Sequence, residues 1–296
     1  MNTQRLVSFM NFKHSQIHSE VNSLFDGVSR LSVPYSLSNI NVLITEHCNF
    51  ACGGCSAFST LAKPTYADVD TVTRDLERVS NILGARLNFL QLAGGEPLLH
   101  PNVIPFFEVS RKFFPNSEIR LVTNGLLLPK QDEHFWESIK KNNIVVMPTK
   151  YPSIDYRKLE ECAATFGVKL HFVDGGIERQ SLFRPLDLSG AQNELRSFIR
   201  CSMARCLILK EGRLYPCLYP SVISHFNEYF DKNINVSEGD SLDIYKINEA
   251  SDIFRFIANP IPFCRYCDSA NTLNHGKHVL TKRDISEYVM PEQIKD

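Results

Sequence analysis

Three cysteines crowd one short loop, as Cys48-x3-Cys52-x2-Cys55, with Gly53 and Gly54 between the last two. Three thiolates on one loop can hold a metal but cannot fill a tetrahedral site. As iron–sulfur ligands they bind three irons of a [4Fe–4S] cube and leave one iron open. As zinc ligands they leave a fourth, catalytic position open. A single cysteine is most often a small buried hydrophobe, but three at this spacing are a metal signal. Six more follow, at 162, 201, 206, 217, 264 and 267. Nine, unevenly clustered, is no tidy disulfide framework.

The elements that must position this loop read as alternating strands and helices. A buried strand covers 40–46. Val69, Val72, Leu76, Val79, Ile82 and Leu83 recur at helical spacing over 68–83, with Asp68 as cap and Gly84 as stop. Strands follow at 87–92, 118–123, 144–147 and 168–173. The intervening helices are 103–114, 131–142 and 154–166. Phe135, Trp136 and Ile139 face inward on the second of these, and Cys162 shares the apolar face of the third with Leu159, Ala163 and Phe166. Five strands alternating with four helices predict parallel βαβ units and an α/β partial barrel, whose chemistry sits on the loops after the strands. The cysteine loop follows the first strand and Gly94-Gly95-Glu96-Pro97 the second. Asn124-Gly125 follow the third, Thr149-Lys150-Tyr151-Pro152 the fourth and Asp174-Gly175-Gly176 the fifth. All fall at one end of the inferred sheet. Taken alone, GGEP and TNG are ordinary turn sequences.

The order and placement of these three motifs, over roughly 40–175, resemble the radical S-adenosylmethionine (SAM) superfamily. Gly54 departs from the aromatic residue that many members place before the third cysteine. The resemblance implies that Cys48, Cys52 and Cys55 ligate a [4Fe–4S] cluster whose open iron takes the amino and carboxylate groups of SAM. It implies Gly94, Gly95 and Glu96 at the amino end of SAM, and Thr123 and Asn124 at its ribose or carboxylate. It further implies a 5′-deoxyadenosyl radical that abstracts hydrogen from a small-molecule substrate, fed by an external donor of the flavodoxin or ferredoxin type.

The tail carries Cys201, Cys206, Cys217 and then, after 46 residues, Cys264-x2-Cys267. Cys201-x10-Gly212-x4-Cys217 is similar to the opening of the SPASM and twitch extensions of that superfamily. Two extra clusters need about seven cysteines, and five are present, so the resemblance implies a twitch-type domain with one auxiliary [4Fe–4S] cluster. Cys217, Cys264 and Cys267 are its expected ligands. Cys201 is the fourth by spacing, which leaves Cys206 as an inert thiol or a hydrogen donor. The expected organisation is a helical lead-in over 1–38, a radical SAM core over 39–190 and an auxiliary-cluster domain over 191–296.

Composition bounds the rest. The 296 residues are 43% hydrophobic and 22% charged, ordinary for a globular chain of about two domains. Lys plus Arg is 32 against 33 for Asp plus Glu, so nothing points to nucleic acid. The N-terminus lacks the pattern of a signal peptide and no apolar run reaches a membrane span, so a cytoplasmic protein without membrane partners is expected. His47 reads as a packed neighbour. Lys150, Tyr151, Arg179 and Arg184 are within reach of a ligand by placement, and equally suited to structural roles.

The expected function is oxidation or epimerisation of a small polyol or sugar-type metabolite. Modification of a ribosomally made peptide is the alternative, although the 38-residue lead-in is too short for the winged-helix domain such enzymes often carry. A non-enzymatic zinc-binding module is the reading from another class.

Overall fold

The computed structural model describes residues 25–294. The expected N-terminal helix falls largely outside them, with one helical turn at 25–29. Strands β1 (Leu37–Thr45), β2 (Leu87–Gly94), β3 (Glu118–Thr123) and β4 (Ile144–Pro148) alternate with helices α1 (Val69–Leu83), α2 (Ile104–Phe113), α3 (Glu133–Lys141) and α4 (Tyr156–Thr165). All three strand pairs are parallel, in the order β4-β3-β2-β1. The helices sit where the apolar periodicity put them. The Asp68 side chain caps α1 by accepting from the Thr71 amide, and Gly84 ends it at a positive φ of 58°.

Alternate residues of each strand face the helices. Ile40, Val42 and Ile44 of β1, Leu90 and Leu92 of β2, Ile119 and Leu121 of β3, and Ile144 and Val146 of β4 form one core with α1 to α4. Cys162 packs against the edge of that core. The residues between them point to the opposite face of the sheet. Asn41, Gln91 and Arg120 fall in one row there, by direct register across three strands.

The fifth expected strand, 168–173, does not form. The amide of His171 donates once to Val146 O (2.9 Å), and no ladder follows. Only Leu170 in this stretch is buried, and Asp174 and Gly175 then turn the chain at φ 50° and 64°. An edge segment with one buried side chain gains too little from packing to hold a regular pairing.

The open side of β1 is taken instead by the tail. Strand β6 (Ile208–Lys210) lies parallel to β1, and β7 (Arg213–Tyr215) and β8 (Leu242–Asp243) continue antiparallel. Between them come α5 (Glu194–Arg200) before β6, α6 (Leu218–Phe230) after β7, and α7 (Ala250–Ile257) after β8. A two-stranded ribbon pairs β5 (Gln180–Phe183) with β9 (Leu273–Lys277). A second core joins Phe58, Phe183, Tyr219, Phe226 and Tyr288. Among the described residues no helix is long and apolar enough to cross a membrane.

A buried ion group fastens the tail to β1. Glu46 receives Lys210 Nζ at 2.7 Å and His225 Nε2 at 2.5 Å. Burial alone would raise the Glu46 carboxyl, but the His225 hydrogen bond and the Lys210 charge outweigh it and hold the group below its ordinary 4.5. Its contribution is therefore complete above the unfolded pKa and fades as pH falls through the folded one. Glu46→Gln leaves Lys210 without its counter-charge and should cost roughly 3 kcal/mol at pH 7. Urea unfolding at pH 7 and pH 3.5 should show that penalty shrinking with acid. An equal penalty at both values would mean that charge is not what matters at this position.

Candidate functional site

The cysteine loop leaves β1 at the end of the sheet where the other motifs gather. A register shift between Leu43 and Thr45 re-aims the strand as it exits. The exit of β2 then runs alongside the exit of β1. Gly95 N donates to Thr45 O and Glu96 N to His47 O, both at 3.0 Å. A Cβ on Gly94 would stand 2.0 Å from Thr45 O, and one on Gly95 2.0 Å from His47 O. Backbone approaching backbone is thus what requires the two glycines here, and Gly94 also has φ 145°.

Glu96 is fully buried and its carboxylate is saturated from within. Oε1 accepts from Thr123 Oγ1 (2.6 Å) and Leu98 N (3.0 Å), and Oε2 from Asn124 N (2.7 Å). Burial pushes its pKa up, and these donors oppose the shift. Asn124 is held so that its Nδ2 donates to Asn49 Oδ1 at 2.7 Å and lies 3.8 Å from Cys48 Sγ. GGEP, TNG and the first cysteine therefore form one connected assembly. Within it, Asn124 reaches the cysteine loop, whereas Glu96 and Thr123 are bonded to each other.

Ionisation is disfavoured at Cys48 and Cys52. Burial pushes Cys48 up to about 12 and Cys52 up to about 11, and neighbouring cysteines add to both. The Phe50 amide donates to Cys48 Sγ at 3.3 Å and works against the shift. The Tyr151 hydroxyl and the Arg179 charge do the same at Cys52. All nine cysteines are free. Clustered, half-buried thiols with no disulfide partner are donors suited to a thiophilic metal centre, whose positive charge would draw off their protons. Among the described residues, no three His, Cys, Asp or Glu side chains are grouped to hold a single metal ion. An iron–sulfur cube spreads its thiolates wider than one ion does.

The second cysteine group is also gathered by the fold. Cys201 ends α5, Cys217 precedes α6, Cys264 lies on a short helical turn at Pro262–Tyr266 and Cys267 ends that turn. All four line one cavity, among Phe198, Pro216, Ile261 and Phe263. Burial pushes the Cys217 and Cys267 thiols well up and that of Cys264 to about 12, with Cys201 adding to each. Cys206 is not on that cavity. It sits against β1, where Asn41 Nδ2 donates to its sulfur at 3.6 Å.

Other expected residues fall elsewhere. His47 accepts from Thr65 N and packs on Tyr66, as a neighbour would. Lys150 lies over the rings of Tyr156 and Phe172. Arg184 clamps the 269–272 turn. Tyr151 is at the site, between Phe50 and His278 at centroid distances of 4.8 and 4.9 Å. His278 and Glu287 were not singled out by the sequence. Both come from the far end of the chain and touch the cysteine loop, and neither belongs to a motif that local spacing could expose.

Residues 42–162 match the family model described as the Radical SAM superfamily. A protein named GTP 3′,8-cyclase from Alkaliphilus oremlandii (strain OhILAs) is 27% identical over 122 residues, or 40% of this chain and 38% of that protein. Aligned with it, the chain spans about two fifths of the relative's length. Another of the same name, from Peptoclostridium acidaminophilum, is 22% identical over 286 residues, covering 89% of this chain and 84% of that one. Among solved structures, BtrN in complex with AdoMet and 2-DOIA is 16% identical, covers 86% of this chain and 98% of its own, and has a TM-score of 0.46.

Gly95→Ala should displace the loop that carries Cys48, since its Cβ has no room against His47 O. We expect Gly95→Ala to lose the iron carried by this loop after anaerobic reconstitution, while iron on the second cysteine group is retained. Full iron retention in Gly95→Ala would show that the close approach does not hold the loop.

Proposed function

Taking residues 42–162 as a radical SAM domain, we propose that this chain reductively cleaves S-adenosylmethionine and abstracts hydrogen from a small polyol or sugar-type metabolite. The observation that carries the reading is the assembly of Cys48, Gly94, Gly95, Glu96, Thr123 and Asn124 at one end of the parallel sheet. Cys48, Cys52 and Cys55 would hold a [4Fe–4S] cluster. When bound and reduced, that cluster supplies the electron that breaks the C5′–S bond of SAM. The Gly94 and Gly95 backbone faces the amino end of SAM in this reading. Asn124 orients the ligand, and Glu96 with Thr123 fixes Asn124 rather than touching SAM.

Cys201, Cys217, Cys264 and Cys267 would hold a second [4Fe–4S] cluster. Four protein thiolates leave no iron open, and apolar walls exclude water. A closed centre suits taking an electron rather than binding substrate, which favours a two-electron oxidation of an alcohol or amine over cyclisation. The core would occupy 39–190 and the auxiliary domain 191–296, joined through β6 beside β1. An external flavodoxin- or ferredoxin-type donor completes the scheme.

The experiment is iron and sulfide analysis after anaerobic reconstitution. The wild type should hold about eight irons, and Cys201→Ala about four. Cys206→Ala should keep about eight, since its sulfur is off the cavity. Loss in Cys206→Ala with retention in Cys201→Ala reverses the ligand choice, and zinc in place of iron supports the binding-module reading. Product mass then separates the chemistries. Oxidation removes two hydrogens, whereas epimerisation in D2O leaves one deuterium on carbon.

A further inference from the structure

The end of the chain returns to the first cysteine loop and straps it down. Gly53 N donates to Val279 O and Thr281 N to Ala51 O, both at 2.8 Å, so Cys52 lies opposite Leu280 in an antiparallel bridge. Glu287 closes the strap. Its Oε2 accepts from Gly54 N (3.2 Å) and Thr281 Oγ1 (2.7 Å), and its Oε1 from Lys282 N (2.6 Å). These bonds hold the backbone on both sides of Cys52, and Ser181 Oγ accepts from Val279 N at 3.3 Å. His278 has little freedom in this frame. Its Nε2 lies 3.2 Å from Cys52 Sγ, with its ring edge-on to Tyr151 at 4.9 Å and tilted 6.1 Å from Phe50.

We propose that His278 is a positioning residue that donates an N–H to the Cys52 sulfur and thereby sets the reduction potential of the cluster on Cys48, Cys52 and Cys55. This rests on the reading of those three cysteines as cluster ligands. A ligating thiolate has no proton to give, so in this pair the imidazole is the donor. A donor on a cluster sulfur stabilises the more negative, reduced state and raises the potential. The fold supplies it from a segment more than 220 residues away in the chain. Only a chain whose tail has docked therefore has the cluster at its working potential.

The test is an EPR-monitored redox titration of the reconstituted full chain, following the signal that changes on adding SAM. That signal isolates the cluster with the open iron from the second one. His278→Ala should move its midpoint to a more negative value with the iron count unchanged. His278→Gln, which keeps an N–H near the same place, should return most of the shift. A midpoint in His278→Ala equal to that of wild type overturns the proposal, as does a glutamine variant shifted as far as alanine. Loss of the SAM-sensitive signal in His278→Ala alone would make the residue a ligand or a clamp, and also overturns it. A wild-type chain that shows iron but no SAM-sensitive signal instead removes the underlying assignment of the three cysteines.

Discussion

The structure turns on the buried carboxylate of Glu96. It lies where β1, β2 and β3 all leave the sheet, and it bonds to the third strand through Thr123 and Asn124. The Glu96 backbone carbonyl accepts from Thr45 Oγ1 at 2.9 Å, and its amide donates to His47 O. One residue thus joins the strand that launches the cysteines to the loop that places Asn124 beside them. Burying a carboxyl is costly, and three donors on two oxygens offset that cost. The glycines before it are part of the same constraint, because a side chain at either would force the two strand exits apart.

The tail is built onto this frame rather than beside it. Strand β6 extends the sheet at β1, the Glu46 ion group anchors α6, and the strap at 278–289 covers the cysteine loop. The aromatic core continues the same connection. Phe58, three residues after Cys55, packs 5.7 Å from Tyr219, two residues after Cys217, and Phe183 stacks on that tyrosine at 5.5 Å. Both cysteine groups are therefore embedded in one continuous packing unit. Losing the tail would unmake the environment of the first loop as well as the second.

Much of this was legible in the sequence, for definite reasons. The helices showed through apolar spacing, as over Val72 to Leu83, and the strands through short segments rich in Val, Ile and Leu. The two cysteine groups showed through spacing, and Cys201, but not Cys206, lines the cavity shared by Cys217, Cys264 and Cys267. The errors have physical causes. The 168–173 stretch has strand composition but buries only one side chain, and composition does not report burial. Strand β6 is three residues long, too short for a periodicity to appear. The roles of His278 and Glu287 depend on contacts across more than 200 residues, which no local pattern encodes. The bonding of the Glu96 carboxylate to Thr123, Leu98 and Asn124 was not legible either, because a motif marks a position without showing which way its side chain is bonded.

Cys48, Cys52 and Cys55 are proposed to hold the cluster that cleaves S-adenosylmethionine. The most direct measurement is 5′-deoxyadenosine formed by the anaerobically reconstituted full chain with dithionite and S-adenosylmethionine, set against the chain with all three changed to alanine. The wild type should form 5′-deoxyadenosine and the triple variant none above background, while keeping the iron proposed for the second cysteine group. Equal 5′-deoxyadenosine from both proteins would contradict the proposal.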